Sequence, residues 1–414
     1  MERARKGGTA AFGFLAITGF INALGIGLVI PVLPALLMDL TGEGVADAAL
    51  WGGLATFVYA VMQFVFSPII GGLSDRYGRR PVLLVSLLAF AIDNVILGLA
   101  SSLWMFFVAR TLAGIFAATF ATANAYVADV TPAEQRGVRF AILGASFGAG
   151  FIFGPALGGL LGDIDPRLPF FAAAAFAFAN TLYGYFVIPE SLPAEKRRPF
   201  SWARSNPLGT LVTLFRTPGV GRLLPVFFLA TLSTWVYVTV WSYVAIAKFG
   251  WSEGQIGWSV AYYGVISFVA QAVIVQKVLP RIGVQRALLI ALVVEAISLT
   301  GIGFAQSGVM LYAMITLALI STMQEPALRQ ELSSRVPADA QGELQGGLAA
   351  LAGIAIVLAP LTYNSLFNAF SREGAPIVFP GAPFLAAAAM SLIAAVVYLR
   401  FRPPPLQADE KPGA

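Results

Sequence analysis

Twelve apolar stretches along this chain are each long enough to cross a bilayer, and polar segments separate them. A hydrocarbon layer about 30 Å thick needs roughly twenty apolar residues of helix. Stretches of that kind lie near 10–38, 50–73, 82–100, 104–129, 138–162, 169–188, 220–247, 254–277, 286–305, 309–331, 343–368 and 380–401. Only 11% of the residues are charged and 58% are hydrophobic, with a mean hydropathy of +0.80. Soluble domains carry about 25% charged residues, so this chain cannot cover itself with water-facing polar surface. The expected fold is all-α and integral to the membrane. The first stretch follows Arg3, Arg5 and Lys6, but it is long and lacks a small-residue cleavage site, so it is expected to stay as a helix and not be removed as a signal peptide.

The chain has no cysteine and no histidine. That removes thiolate and imidazole metal sites, cysteine nucleophiles, histidine-containing triads and disulfides, and with them most enzyme chemistry. No cofactor or metal is expected. A net charge of +5 raises the question of nucleic acid, but the basic residues fall in short clusters between apolar runs and form no stripe. Positive residues accumulate on the cytoplasmic side of a membrane. Of 26 Lys and Arg, 22 lie in alternate loops and the two tails: three at the N-terminus, Arg76/Arg79/Arg80, Arg136/Arg139, six from Lys196 to Arg222, Lys277/Arg281/Arg286, Arg329/Arg335, and three from Arg400 on. Arg167, Lys248 and Arg372 fall in the opposite loops, and Arg110 lies inside the fourth span. Both termini are therefore expected in the cytoplasm, beneath a bacterial inner membrane. The expected organisation is a cytoplasmic segment 1–9, a six-helix half 10–188, a cytoplasmic linker 189–219, a second half 220–402 and a disordered tail 403–414.

The halves are related. A shift of 205 residues lays Thr131-Pro132-Ala133-Glu134-Gln135-Arg136-Gly137 on Val336-Pro337-Ala338-Asp339-Ala340-Gln341-Gly342, and pairs Arg76 with Arg281, Gly78 with Gly283, Gly148 with Gly353 and Pro155 with Pro360. Parallel six-helix repeats with a substrate site near the midplane describe a transporter in which one half rocks against the other.

After the second span the chain reads Gly71-Gly72-Leu73-Ser74-Asp75-Arg76-Tyr77-Gly78-Arg79-Arg80-Pro81. This loop resembles the signature of the major facilitator superfamily. Arg110-Thr111-Leu112-Ala113-Gly114 in span 4, and Gly148-Ala149-Gly150 through Gly154-Pro155-Ala156-Leu157-Gly158-Gly159 in span 5, extend the resemblance to its drug:proton antiporters. Ala23-Leu24-Gly25-Ile26-Gly27-Leu28, Pro31-Val32-Leu33-Pro34, Met62-Gln63, Tyr126-Val127-Ala128-Asp129 and Gln345-Gly346 are similar to the tetracycline/proton antiporter family, and the likeness covers essentially the whole chain. It implies two pseudo-symmetric six-helix halves. Two readings of the 75–80 loop are open: a solvated positive-inside loop, or, as the resemblance implies, a latch in which Asp75, with Arg76, Arg79, Arg80 and Asp129, meets the start of span 11 near Gly342 and Glu343. Gly154 and Pro155 likewise either permit close helix packing or, by the resemblance, line the interface between halves and restrict leak.

Charges inside spans are the sharper clue, because each costs several kcal/mol at the bilayer centre unless it faces a partner or a polar cavity. Asp93 lies about eleven residues into span 3 and Glu295 about nine into span 9, so at 1.5 Å per residue both approach the midplane. Each is either a neutral, hydrogen-bonded structural acid or a group that exchanges protons. Both match acids of the tetracycline antiporters. Arg110 keeps its charge and suits a deprotonated acid or an anionic substrate group; the family ties it to proton coupling. Glu325 precedes Arg329 by four residues, the spacing of a pair on one helix face. A structural ion pair is the favoured reading, and a gating or proton role is the alternative.

Gln63, Gln271, Asn22, Asn124, Tyr126, Trp235, Tyr237, Trp241, Tyr263 and Ser267 are the candidates for an amphipathic substrate pocket, although hydrogen bonding between helices and interface anchoring are the ordinary uses of such side chains. The resemblance departs at three places: Asn22 stands where the tetracycline exporters carry an acid, Ser267 where some carry a histidine, and Glu295 where they carry an aspartate. Without histidine, coupling falls to Asp93 and Glu295. The expected function is proton-coupled antiport of a small amphipathic molecule by alternating access, with protons, substrate and lipid as partners, no nucleic acid, and a monomeric state. A facilitator or symporter of a cellular metabolite is the alternative.

Overall fold

The computed structural model describes residues 2–200, 211, 214, 215, 217, 219–337 and 340–401, with the side chains of 2–11 and Ala133 outside that description. The expected disordered tail at 403–414 and most of 201–218 in the expected linker lie outside the described residues. Twelve helices are long and apolar enough to cross a membrane. They are α1 (Phe12–Val29), α2 (Val45–Tyr77), α3 (Arg79–Gly98), α4 (Leu103–Val130), α5 (Glu134–Gly162), α6 (Leu168–Val187), α7 (Leu224–Phe249), α8 (Glu253–Ile282), α9 (Val284–Phe304), α10 (Gly308–Ser333), α11 (Gln341–Ser371) and α12 (Ala382–Phe401).

Several spans differ locally from the sequence expectation. The first stretch ends at Val29 and not near 38, because Pro31 and Pro34 interrupt it; Pro34 then opens a separate short helix, Leu33–Thr41. α4 breaks between Ile115 and Thr119, beside Gly114, where an added Cβ would stand 2.5 Å from the Tyr59 carbonyl oxygen. α8 carries a π-helical turn at Gln271–Val278. α10 tightens to a 3₁₀ turn at Ala318–Met323. That turn immediately precedes Gln324-Glu325-Pro326, and Pro326 has no N–H to give the Thr322 carbonyl, so the regular ladder cannot run through.

The chain separates into two compact units. One holds Met1–Ser205 with Gly250–Gly264, the other Asn206–Phe249 with Val265–Ala414. Within the first, α1 packs on α5 and α6, α2 on α4, and α3 on α6; within the second, α7 packs on α11 and α12, α8 on α10, and α9 on α12. One pairing scheme thus occurs twice, six helices apart. Local details repeat as well. Ser102 caps α4 by accepting from Met105 N, and Ser307 caps α10 by accepting from Met310 N, again 205 residues apart. Gly78 and Gly283, which the sequence shift pairs, turn the chain between consecutive spans at φ 107° and 79°, a region that side-chain-bearing residues rarely enter. The start of α8 joins the first unit through close packing on α5. Gly254 N donates to Asp163 at 2.9 Å, and a Cβ on Gly254 or Gly257 would strike Asp163 or the Pro155 carbonyl.

The tightest seam of the first unit is between α1 and α5. Gly150, Gly154 and Gly158 sit against the carbonyls of Phe20, Leu24 and Leu28, one helical turn apart on both helices, so the helices run parallel with backbones in contact. Lipid tails are as apolar as leucine, so membrane helices gain from van der Waals packing, and glycine rows permit the closest approach. A Cβ on Gly154 would lie 2.6 Å from the Leu24 oxygen, whereas one on Gly144 in the same helix meets nothing within 4 Å. Gly154→Val is expected to cost about 1–3 kcal/mol through overpacking, while Gly144→Ala is expected to be neutral or mildly stabilising. Thermal melts of the detergent-solubilised protein, followed by size-exclusion fluorescence, check both; equal midpoints for the two variants would contradict the seam.

Candidate functional site

Two acids lie deep within spans, and each unit handles its own differently. In the first unit, Asp93 on α3 is fully buried and accepts from Arg110 on α4, Oδ2 to NH2 2.7 Å. Asp93 Oδ1 and Arg110 Nε are buried with no hydrogen-bond partner among the described residues. Tyr59 of α2 lies within electrostatic reach of both charges. Arg110 sits in the first segment of α4, six residues before the break at 116–118. The pair thus joins α3 to the first segment of the broken α4. Its geometry uses a single guanidinium nitrogen and a single carboxylate oxygen, which leaves each group able to serve a second partner.

In the second unit, Glu295 on α9 is 2% exposed and has no cation within salt-bridge distance among the described residues. Its Oε2 lies 2.5 Å from Ser321 Oγ, within the 3₁₀ turn of α10. Tyr363 of α11 lies within electrostatic reach of Glu295, and its hydroxyl donates to the Leu232 carbonyl at 2.8 Å. The 205-residue shift would place Asp93 on Ser298, not on Glu295, so the two acids are one turn out of register. Ser298 instead donates to the Met314 carbonyl at 2.5 Å, a second tie between α9 and α10.

A third cluster lies at the α2–α3 turn. Asp75 pairs with Arg79 at 2.5 Å, and Arg79 Nε reaches Asp129 at 3.1 Å. Arg80 donates to the Tyr185 carbonyl at 2.7 Å, and Arg76 stacks on Tyr77. The sequence reading missed the residue that organises this cluster, Glu190. Its carboxylate accepts from the backbone N–H of Arg79 at 2.8 Å and Arg80 at 3.3 Å, the open start of α3, and also from Ser191 and Leu192. A carboxylate at a helix N-terminus satisfies orphan donors and the dipole together. The signal in the sequence was slight: one acid after Pro189 at the end of α6. Tyr126, a candidate for the pocket, is fully buried in this same region and donates to the Pro189 carbonyl at 2.7 Å.

The remaining candidates scatter within their units. Asn22 and Gln63 are partly exposed on α1 and α2, and Asn124 on α4 donates to the Phe120 carbonyl at 3.0 Å. Tyr263 lies on the part of α8 that belongs to the first unit. In the second unit, Tyr237 and Trp241 pack with Phe384 at ring distances of 6.0 and 6.2 Å, Trp235 precedes them at the bend of α7, Ser267 is partly buried, and Gln271 is exposed at the start of the π turn. Glu325 and Arg329 form the expected i,i+4 pair at 2.8 Å; Arg329 also donates to Gln345 at 3.0 Å and covers the Phe227 ring.

The chain's likeness to known proteins agrees with this architecture. Residues 15–228 and 223–414 each match the family model of the Major Facilitator Superfamily. The tetracycline resistance protein of class C from Escherichia coli is 38% identical over 349 residues, 84% of this chain and 87% of that one. The class D protein from Salmonella ordonez is 35% identical over 394 residues, covering 95% and 98%. Among solved structures, the human organic anion transporter superposes with a TM-score of 0.69 at 22% identity, over 94% of this chain and 99% of that one. Two matched halves, twelve membrane-crossing helices and the repeated pairing scheme leave one conclusion: the chain is a multi-pass membrane protein that belongs to the Major Facilitator Superfamily.

Proposed function

We propose that this protein is a proton-driven antiporter that exports a small amphipathic molecule, with tetracyclines as the first compounds to test because its relatives' names point to them. The observation that carries the reading is the pair of buried acids. Asp93 is held by one arginine, and Glu295 by a neutral hydroxyl. An acid in a span without full compensation by charge is where a membrane protein can take up and release protons. The half 10–188 and the half 220–402 act as the moving bodies, and the linker 189–219 joins them. Asp75, Arg76, Arg79, Arg80 and Asp129, organised by Glu190, form the latch of the first half. Gly154 and Pro155 keep α5 close to its neighbours. Asn22, Gln63, Asn124, Tyr263, Trp235, Tyr237, Trp241, Ser267 and Gln271 supply a mixed polar and aromatic surface for the substrate. Tyr126 is better assigned to the latch region, given its bond to Pro189. Both termini lie in the cytoplasm under an inner membrane, the protein acts as a monomer, and it carries out no covalent chemistry.

Coupling follows from linkage. If substrate and proton favour opposite conformations, each weakens the other's binding by the same factor. Inverted vesicles with an acidic lumen are therefore expected to take up tetracycline, and an uncoupler to abolish the uptake. Asp93→Asn and Glu295→Gln are each expected to remove gradient-driven uptake. Undiminished uptake without a gradient would instead identify a facilitator.

The Asp93–Arg110 pair makes a separate prediction. Removing one partner of a buried pair strands the other charge, at a cost of about 3–5 kcal/mol, whereas removing both spares that penalty. Asp93→Asn alone is expected to lower thermal stability more than Asp93→Asn combined with Arg110→Gln, while neither variant transports. A double variant as unstable as the sum of its single changes would show that the pair is not coupled in the folded protein.

A further inference from the structure

Ser321 is shared by two oxygens. Its Oγ lies 2.5 Å from Glu295 Oε2 and 2.5 Å from the carbonyl of Ala318. A hydroxyl has one proton to donate. When Ser321 gives that proton to Ala318, a hydrogen bond to Glu295 exists only if the carboxyl is protonated and donates to Ser321. When Glu295 is ionised it is an acceptor only, and it draws the serine proton to itself. A bond to a charged oxygen is roughly twice as strong as one to a neutral carbonyl, so the carboxylate wins and Ala318 loses its side-chain donor. The same three groups have two hydrogen-bond assignments, set by one proton.

The backbone at this point is poised to respond. Ala318–Met323 is the 3₁₀ turn of α10. Ser321 to Ala318, and Thr322 to Leu319 at 2.7 Å, are both bonds three residues back, which stitch a tight turn from its side chains. Pro326 denies the Thr322 carbonyl its helical donor in either state, so the segment has a weakened ladder to begin with. Six residues wound at 3.0 per turn and 2.0 Å rise, if rewound fully at 3.6 and 1.5 Å, turn the following arm by about 120° and shorten it by about 3 Å. That arm, Gln324–Ser333, carries Glu325 and Arg329.

We propose that Ser321 is a positioning residue that converts the protonation of Glu295 into the winding of α10. The protonated acid keeps Ser321 on Ala318 and the 3₁₀ turn in place; the ionised acid takes Ser321 and lets the turn relax toward α-helix. This rests on the reading above that Glu295 exchanges a proton.

The other groups around Glu295 do not offer a competing switch. From α11, Tyr363 is bonded to Leu232; from α12, Ser391 donates to the Leu292 carbonyl at 2.9 Å, and Arg400 lies at that helix's far end. α9 itself carries Arg286 in its first turn, next to Arg281 at the end of α8. On α10, Glu325 pairs with Arg329, and Glu331 with Arg335.

Hydrogen exchange of the full-length protein in lipid nanodiscs, read on peptides spanning 314–326 at acidic and alkaline pH, tests the proposal. After correction for the chemical exchange rate, wild-type protection of 318–323 is expected to rise severalfold on going alkaline. Ser321→Ala is expected to lose that dependence and Ser321→Thr, which keeps a hydroxyl, to retain it. Glu295→Gln, whose amide donates as the protonated acid does, is expected to stay at the acidic value throughout, so the test survives if Ser321→Ala does not fold. A wild type with no pH response, or a full response in Ser321→Ala or Glu295→Gln, overturns the proposal. Tetracycline uptake into inverted vesicles separates the two levels. Gradient-driven uptake that survives Glu295→Gln removes the coupling reading itself, whereas uptake lost in Glu295→Gln but unchanged in rate and pH profile in Ser321→Ala removes only the role of Ser321.

Discussion

An ionised side chain in hydrocarbon must find compensation inside the protein, and most of what distinguishes this chain follows from how it meets that demand. The backbone meets it by closing its hydrogen bonds within helices, apart from the irregular segments of α4 and α10. The side chains meet it by near-exclusion: Asp93, Arg110 and Glu295 are the charges held deep in the described spans, and each has a named partner. Other ionic groups gather at span ends, where Glu190 caps α3 and Arg79 bridges Asp75 to Asp129. A fold with so few interior charges makes each of them consequential, because little else in the span can offset a change in its protonation.

Glycine and proline provide the complementary half of the design. In water, a row such as Gly150, Gly154 and Gly158 would weaken a helix; in lipid it lets two backbones touch, and dispersion between them replaces the burial that drives soluble cores. The broken helices use the same freedom differently. α4 breaks just after its arginine, α10 tightens just before Pro326, and in each case the irregular segment lies close to an intramembrane charge. Irregular backbone within a membrane is tolerated where protein surrounds it, and here it provides groups that can change partners.

Much of the fold was legible in the sequence because hydropathy and the charge of loops are local properties. Twelve spans, the 205-residue repeat and the Glu325–Arg329 spacing could be read without any knowledge of packing. The helix breaks were less legible. Pro31 and Pro34 carried a readable signal for the end of α1, while the break at 116–118 has none beyond Gly114. Least legible were the partners. Glu190 reaches the start of α3 across 111 residues, and as a single acid after a proline it resembles any solvated loop residue. Ser321 is one small polar residue in a serine-containing span, and only the approach of α9 gives it a role. Residue type told which groups were costly to bury; tertiary contact alone told which group offsets which.

The two repeats show why duplication need not preserve chemistry. α3 and α9 are equivalent in packing, each lying against the last helix of its own unit. Yet Asp93 is met by a permanent cation and Glu295 by a hydroxyl, and the two acids sit a turn apart in the shared register. A guanidinium brings a permanent charge to its partner, whereas a hydroxyl brings one proton that a neighbouring carbonyl can also use. Equivalent helices of a duplicated scaffold thus hold acids with unlike partners. A pseudo-symmetric pair of helices can therefore carry unlike chemistry while the pairing scheme around them stays the same.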